Sequence, residues 1–411
     1  MKKISFSILA SFSLIYTLAQ ADNKITIGTI DSIQSKILNE KRNIWMYIPK
    51  GITDSIFLPQ HYPVVYLLDA EVDFTYLASL LQRLNSVNAI NGNRVCPEMI
   101  IVGIPNTKNT LRTRDLTPTK DSISAPLAGG GGGGEQFMSF IEKELMPYID
   151  SNYPTSPYKL LIGHSFGGLT VMNTLINHTQ LFNSYICIDP SLWWDKQNLL
   201  KASKSILSQK SFAGKTMYLG IANTMEKGMN INDVANDTSK STLHIRSILE
   251  MDKYIKNQNP KGLTYSSKYY ENDNHGSVAW VSEYDGLRFI FKQYPIELSA
   301  KEYDDSTIDV ANRYTLHFNK ISELFGYKVM LPENQLNAMA YRFLGMKQFK
   351  KAEECFKLYI NSYPKSFNAY NAYGDYFVTT GNKPKAIEYF KKALALRKYP
   401  MTLQKLNKLL E

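Results

Sequence analysis

Cysteine and histidine are scarce in this sequence. Its 411 residues include three cysteines, Cys96, Cys187 and Cys355, and six histidines. The cysteines are odd in number and widely spaced, which excludes a disulfide scaffold and leaves no metal-ligand spacing. We therefore expect buried free thiols, no metal site and no cofactor.

Long apolar runs are also missing, except at the N-terminus. There Lys2 and Lys3 precede an apolar stretch of about 16 residues, which is short for a membrane span of about 20. The small residues of Ala19-Gln20-Ala21 follow as a cleavage site. We expect residues 1–21 to be a signal peptide. The mature protein is then exported, periplasmic or secreted, with no membrane span.

A concentrated basic block is absent as well, although the formal net charge is +10. Removal of Lys2 and Lys3 lowers this charge to +8, and the remaining surplus is spread along the chain. A nucleic-acid site would need a dense basic stripe. The charge pattern therefore indicates a solvated surface and no nucleic-acid partner.

What the sequence does contain, up to about residue 295, is an alternation of strand-like and helix-like runs. Several strand-like runs are almost continuously apolar, as strands buried on both faces must be. The predicted strands are 42–49, 63–69, 98–105, 159–164, 185–190, 216–222 and 265–271. Helical patterns at 135–149 and 241–255 lie between them. This alternation predicts an α/β fold with a mostly parallel sheet, helices on both faces, and ligands at the carboxyl ends of the strands.

From residue 296 to 411 the sequence predicts helices only, with an internal repeat at about 335–400. The corresponding positions are Ala340, Phe343, Gly345, Ala352 and Phe356 in the first unit and Gly374, Phe377, Gly381, Ala386 and Phe390 in the second. Offsets of 34 to 36 residues resemble two tetratricopeptide units. Two such units are too few for independent stability. We expect segment 301–327 to pack against them and this small all-α domain to lean on the catalytic domain, residues 22–295.

One short motif contains a candidate catalytic serine. Ser165 lies in the Gly-x-Ser-x-Gly motif of "LLIGHSFGGLT", between the predicted strand 159–164 and a helical pattern at 168–182. A tight turn alone would also use such glycines. The strand–turn–helix setting favours a nucleophile elbow, in which a strained turn exposes the serine.

A nucleophilic serine of this kind needs a histidine and an acid further along the chain. His275 follows a late strand in "NDNHGSVAW" and is the candidate base. The acid is expected beyond the strand 216–222, and Glu226 lies nearest to its end. The alternatives are Asp233, Asp237, which could instead cap the following helix, and Asp189 after the preceding strand.

The oxyanion hole requires two backbone N–H groups. One is expected from Phe166, directly after the nucleophile. The other is expected from Ala70, in the turn after the strand 63–69, where an ordinary turn is the alternative.

Several ordered blocks together resemble the esterase branch of the α/β-hydrolases. This branch includes esterase D, enterochelin-type siderophore esterases and some feruloyl esterases. The blocks are "YPVVYLLDAEVDF", "IIVGIPN", "RTRDLTP", "GGGEQFMSFIEKELMPYID", "LLIGHSFGGL", "DPSLWWD" and "DNHGSV". The likeness implies an α/β-hydrolase fold over residues 25–295, with Ser165 and His275 catalytic and Phe166 and Ala70 as oxyanion donors. Many relatives carry glycine where this chain has Ala70.

Three further residues are candidates for contact with the substrate. Trp193 and Trp194 follow the strand 185–190 and could line an acyl or aryl pocket, or form part of the core. Arg114, like Arg112, follows the strand 98–105 and could steer an acidic substrate, or pair with Asp115.

The sequence thus predicts an exported serine carboxylic ester hydrolase that acts on a small-molecule ester. Siderophore, feruloyl or acetyl sugar, and simple acyl esters all fit. The alternative is a periplasmic interaction protein that binds a protein partner through its helical repeats.

Overall fold

An eight-stranded sheet forms the centre of the protein. The computed structural model describes residues 25–49, 56–85, 94–106, 108–121, 130–234 and 236–411, so the expected signal peptide lies outside the described residues. In spatial order the strands are β1-β2-β4-β3-β5-β6-β7-β8. Strand β2 is antiparallel to both neighbours, and the pairs from β4 to β8 are parallel. The strands are β1 (Thr29–Ser35), β2 (Glu40–Tyr47), β3 (Tyr62–Leu68), β4 (Ile100–Ile104), β5 (Thr155–His164), β6 (Ser184–Ile188), β7 (Lys215–Ala222) and β8 (Leu263–Tyr270).

The predicted α/β fold is confirmed. Strands β3, β4 and β6 are buried at every position, which explains their continuous apolar runs. The edge strand β1 has a polar sequence, TIDSIQS, and is half exposed. It was not predicted because its apolar signal is weak.

Helices cover both faces of the sheet, and each face has its own apolar core. One face carries α1 (Ala70–Asn85) and α9 (Val278–Ile290). The other face carries most of the remaining helices of this region. These are α3 (Gly134–Phe140), which continues through a π-helical turn (Ile141–Leu145) into α4 (Met146–Asn152), then α5 (Phe166–Asn177), α6 (Trp194–Gln209) and α8 (Leu243–Gln258). The short helices α2 (Asn109–Leu116) and α7 (Ile231–Val234) complete the region.

Seven helices follow, as the sequence predicted for residues 296–411. They are α10 (Ala300–Asp304), α11 (Val310–Phe325), α12 (Glu333–Gly345), α13 (Phe349–Ser362), α14 (Phe367–Thr379), α15 (Lys383–Leu396) and α16 (Pro400–Leu410). Helices α12 to α15 form two consecutive helix pairs. No helix in the described part of the chain is both long and apolar enough to span a membrane.

The two helix pairs correspond at an offset of 34 residues. Lys347, with φ of 59°, follows α12, and Gly381, with φ of 76°, follows α14 at the same place in the turn. The next residues, Gln348 and Asn382, donate to the carbonyls of Phe343 and Phe377. The expected match of Gly345 with Gly381 is therefore corrected, because the left-handed position of the first pair is Lys347.

The helical region leans on the α/β region, as expected. The ring of Phe325 in α11 lies 4.5 Å from that of Tyr158 in β5 and 5.8 Å from that of Phe291. The buried carboxylate of Glu333 accepts the backbone N–H of Leu58 at 2.7 Å. One apolar core therefore continues from the sheet into the helical region.

Candidate active site

Ser165 occupies a strained turn between β5 and α5. Its φ of 60° and ψ of −115° lie outside the usual regions for a residue with a side chain. A Cβ on Gly163 would lie 2.5 Å from the Gly167 carbonyl carbon, and one on Gly168 would lie 2.7 Å from the Ile188 oxygen. Only glycine fits at Gly163 and Gly168. The first glycine of the motif therefore has a steric cause, whereas a Cβ on the second, Gly167, would make an ordinary contact of 3.4 Å with Asp69 Oδ2. The sharp turn presents the Ser165 side chain at the carboxyl end of the sheet.

His275 lies in the turn between β8 and α9. The Asn274 side chain accepts the N–H groups of Gly276 and Ser277, which fixes this turn. The His275 Nδ1 lies 2.6 Å from Asp189 Oδ2. The ring centroid of His275 also lies 4.4 Å from that of His164, the residue before the nucleophile. The histidine is therefore held on one side by a carboxylate, close to the elbow.

Asp189 follows β6 directly and is fully buried. Its φ of 41° is left-handed, and this turn directs the side chain toward the neighbouring strand ends. Oδ1 accepts the Ala222 N–H at 3.0 Å, and Oδ2 accepts from His275 and from His244 at 2.8 Å. Burial alone would raise the pKa of Asp189, but the donors from His244, His275 and Ala222 outweigh it and hold the pKa below its ordinary value. The carboxylate is therefore ionised at neutral pH.

The expected position of the acid is corrected by this geometry. Glu226 is exposed on a turn after β7, and its carbonyl accepts the Met229 N–H. Asp233 lies in the short helix α7. The Asp237 carboxylate accepts from Ser239 and Thr242, and these bonds lower its pKa to about 2. Asp237 thus stabilises the start of α8, and the structure brings Asp189, the fourth candidate, to the histidine.

Two further histidines surround Asp189 and were not singled out as site residues. His244 comes from the first turn of α8. His164 is largely buried, which lowers its pKa to about 4, so its ring is neutral at neutral pH. The sequence gives no signal for His244, since it lies in an ordinary helical pattern.

A metal ion could use atoms of His164, Asp189 and His275, which lie within 4.8 Å of one another. Such an ion would have to displace the N–H groups that already bind Asp189 Oδ2. The same atoms fit proton transfer without that rearrangement.

Both expected oxyanion donors lie at helix starts on neighbouring strands. Phe166 is the first residue of α5, after β5, and Ala70 is the first residue of α1, after β3. The N–H groups of a first helical turn have no acceptor within the helix. A Cβ on Gly103 would lie 2.7 Å from the Ala70 methyl group, so Gly103 makes room for alanine at this position.

The two tryptophans differ in their surroundings. Trp194 is buried and donates its indole N–H to the Thr119 carbonyl at 2.9 Å. Trp193 is only half-buried. Both rings lie beside that of Phe166, with centroid distances of 5.1 Å for Trp194 and 6.2 Å for Trp193. Trp194 is therefore part of the core, and Trp193 is the more exposed of the two.

Arg112, not Arg114, lies beside the elbow. The Arg114 guanidinium pairs with Glu40 at 2.6 Å and with Asp115 at 2.7 Å, which corrects its expected place near a substrate. The Arg112 guanidinium lies 5.3 Å from the centroid of the Phe166 ring. It forms two hydrogen bonds to Asp69, at 2.9 and 2.8 Å. One cation is thus fixed next to an expected oxyanion donor.

A serine on a strand-to-helix elbow and a histidine–aspartate pair after later strands define a serine hydrolase of the α/β-hydrolase fold. The family described as Putative esterase matches residues 35–283, which is more than half of the chain. The chain belongs to this family.

Individual relatives agree with this assignment. The ferri-bacillibactin esterase BesA of Bacillus subtilis is 32% identical over 201 residues, covering 45% of this chain and 66% of the relative. A siderophore triacetylfusarinine C esterase of Aspergillus fumigatus is 29% identical over 36% of this chain and 50% of its own length. The chain thus spans between half and about two thirds of these curated relatives. The crystal structure of an IroE-like serine hydrolase from Shewanella oneidensis matches with a TM-score of 0.68 and 30% identity, covering 81% of this chain and 99% of that one.

Proposed function

We propose that this protein hydrolyses carboxylic esters through an acyl-enzyme on Ser165. The observation that carries this proposal is the 2.6 Å contact of His275 with the buried Asp189, together with the 4.4 Å separation of the His275 ring from that of His164, which precedes the strained Ser165. Asp189 fixes the tautomer in which Nδ1 carries the proton, which leaves Nε2 free to act as the base.

The reaction then proceeds in two steps. His275 Nε2 takes the Ser165 hydroxyl proton as Oγ attacks the acyl carbonyl, and it returns the proton to the departing alcohol. Water, activated by the same nitrogen, attacks the acyl-enzyme and releases the acid. The N–H groups of Phe166 and Ala70 stabilise the negative oxygen in both steps.

We further propose a siderophore ester as substrate. Two relatives are named for siderophore ester cleavage. The half-buried Trp193 offers an aromatic face for an aryl or acyl group. The Arg112 guanidinium uses two of its five N–H groups on Asp69 and lies beside Phe166, where the remaining N–H groups can bind an acidic substrate.

The location and the role of the helical region are also proposals. We propose that the protein is exported after cleavage at Ala21, and that residues 22–295 and 296–411 are its two domains. The 34-residue offset and the two helix pairs support tetratricopeptide-like units, for which a protein partner remains a prediction.

Substitution of Ser165 by alanine tests the proposed nucleophile. We expect Ser165→Ala to lower kcat on p-nitrophenyl acetate by about a millionfold while the far-UV circular dichroism stays unchanged. Ser208→Ala, at an exposed serine on α6, is the matched control and should keep full activity. Mass spectrometry after treatment with a fluorophosphonate should show one adduct, on Ser165. Undiminished turnover of Ser165→Ala would refute the assignment.

The substrate class is tested with the wild-type protein. We expect kcat/KM for a ferric catecholate trilactone to exceed that for p-nitrophenyl acetate. If kcat/KM were higher for feruloyl or acetylated sugars, those esters would be the substrate class and the siderophore proposal would be wrong.

A further inference from the structure

Asp189 holds two histidines on one oxygen. The Nε2 of His244 lies 2.8 Å from Oδ2, and the Nδ1 of His275 lies 2.6 Å from the same atom. The two rings meet edge to face, with centroids 5.2 Å apart and an interplanar angle of 88°. The proposed triad uses only one of them, so His244 requires an explanation of its own.

An acid can orient a catalytic histidine only if its own side chain is fixed and ionised. Asp189 is fully buried, so its charge needs several donors. One donor to Oδ1 is the Ala222 N–H, and His275 itself must remain able to move a proton. His244 is the described side chain, other than His275, that donates to this carboxylate.

We propose that His244 is a positioning residue, which fixes Asp189 and thereby sets the orientation of His275. This inference rests on the proposed function of Ser165, His275 and Asp189. His244 Nε2 carries a proton in this arrangement, because the Asp189 carboxylate can only accept. The His244 ring therefore fixes Oδ2, while the Ala222 N–H of β7 fixes Oδ1.

The groups around His244 show which charges act on it. Asp189 and His275 face its ring from the ends of β6 and β8. On its own helix, Arg246 is bound to Thr242 and to the Ser239 carbonyl. The Asp237 carboxylate is bound to Ser239 and Thr242. The Asp189 carboxylate is thus the anion that His244 contacts directly.

Loss of His244 should have two separable consequences. Asp189 gains rotational freedom, so His275 is oriented less often and kcat falls. Oδ2 also loses its second donor, so its negative charge acts on the Nδ1–H of His275 alone and strengthens that one hydrogen bond.

The experiment compares three variants of the full chain on p-nitrophenyl acetate. We expect His244→Ala to lower kcat by about tenfold, with KM unchanged. His244→Gln keeps a neutral N–H donor at the position of Nε2 and should recover most of kcat. His178→Ala is the control, because His178 makes a similar contact, 3.0 Å to Glu135, away from Ser165 and has nearly the same exposure.

A second measurement does not depend on turnover. Proton NMR of the resting protein should show two low-field N–H signals from imidazoles bound to Asp189. In His244→Ala one signal should vanish and the other should shift, and in His178→Ala both should persist. These signals test the positioning role even if the protein cleaves no ester, in which case the proposed function alone fails.

Two results would overturn the inference. One is a His244→Ala variant with wild-type kcat and an unshifted low-field signal of His275. The other is a loss of kcat that glutamine does not restore and that leaves the low-field signal of His275 in place, because this indicates a structural role only.

Discussion

The surroundings of a single carboxylate decide whether it can support a histidine base. Asp189 is enclosed, and its two oxygens accept three N–H groups, including that of His275. Glu226 is exposed on a turn. An exposed carboxylate is hydrated and screened, whereas a buried one interacts strongly with a charge beside it. Asp189 therefore stabilises the imidazolium that forms on His275, and Glu226 does not.

Isosteric amides separate these two acids. We expect Asp189→Asn to lower kcat by about ten-thousandfold, because an amide donor at this position favours the unproductive tautomer of His275. Glu226→Gln should change kcat by less than about twofold, since surface substitutions have small effects. Both variants are assayed on p-nitrophenyl acetate, with melting curves as a control for folding. If Glu226→Gln lost most of its kcat while Asp189→Asn stayed active, Glu226 would be the acid that orients His275.

The sequence revealed some site residues better than others. Ser165 and His275 stand in short motifs whose chemistry is local, so both could be named. Asp189 fits the required order of serine, acid and histidine, but so do eight other acids between Ser165 and His275, three of which were also candidates. What distinguishes Asp189 is its left-handed turn directly after a buried strand, which turns the side chain toward a histidine 86 residues away. Contacts over such a separation are not written in any local pattern.

At the scale of elements, helix α9 follows the turn that carries His275 and contains an unusual buried acid, Glu283. Glu283 is fully buried, and neither of its carboxyl oxygens has a hydrogen-bond partner among the described residues. Burial is the main cause that raises its pKa well above the ordinary value, and the nearby Asp73 of α1 adds to this rise. The carboxyl is therefore protonated in the folded protein at pH values where it is ionised in the unfolded chain.

This difference predicts a pH-dependent stability. The unfolded pKa of glutamate is about 4.3, and the folded pKa is higher. The stabilisation that Glu283 gives by staying protonated is thus fully present below about pH 4. It is lost as pH rises through the folded pKa, and the free energy of unfolding falls by about 1.4 kcal/mol per pH unit over this range. We expect Glu283→Gln to match the wild type near pH 4 and to melt at a higher temperature at pH 8.

Melting curves of both proteins from pH 4 to 8 check this sign. Glu323→Gln, at an exposed glutamate of α11, is the control and should show no such trend. A difference between the Glu283 variant and the wild type that stays constant with pH would contradict the prediction.

Strands with a strong apolar signal in the sequence could be predicted, whereas features that depend on packing could not. The buried strands β3, β4 and β6 appear in the sequence as unbroken apolar runs. Strand β1 is polar and pairs only at the sheet edge. In the helix pairs, Gly345 suggested the turn, but the left-handed residue is Lys347. Lysine adopts this conformation only because the surrounding helices hold the turn, which sequence alone does not show.

At the scale of the whole molecule, the proposed chemistry and the helical region lie at opposite ends of the sheet. Ser165 follows the carboxyl end of β5, whereas Tyr158, which contacts Phe325, lies near its start. A cavity of about 400 Å³ lies at the junction with the helical region, lined by Tyr62, Tyr294 and Tyr327 among others. This cavity is therefore distant from the elbow. We therefore expect the helical region to contribute to the stability of the fold and not to the reaction at Ser165.

A variant at the junction tests this separation of roles. Phe325 is 7% exposed and packs on Tyr158, Phe291 and Tyr294, so Phe325→Ala should cost about 3–5 kcal/mol and lower the melting temperature. Its kcat/KM on p-nitrophenyl acetate at 25 °C should remain at the wild-type value, because no proposed catalytic group touches Phe325. Leu324→Ala is the matched control: Leu324 precedes Phe325 on the same helix and is 47% exposed, so its loss should leave both quantities unchanged. If the folded Phe325 variant loses turnover while Leu324→Ala does not, the helical region contributes to the site across the sheet.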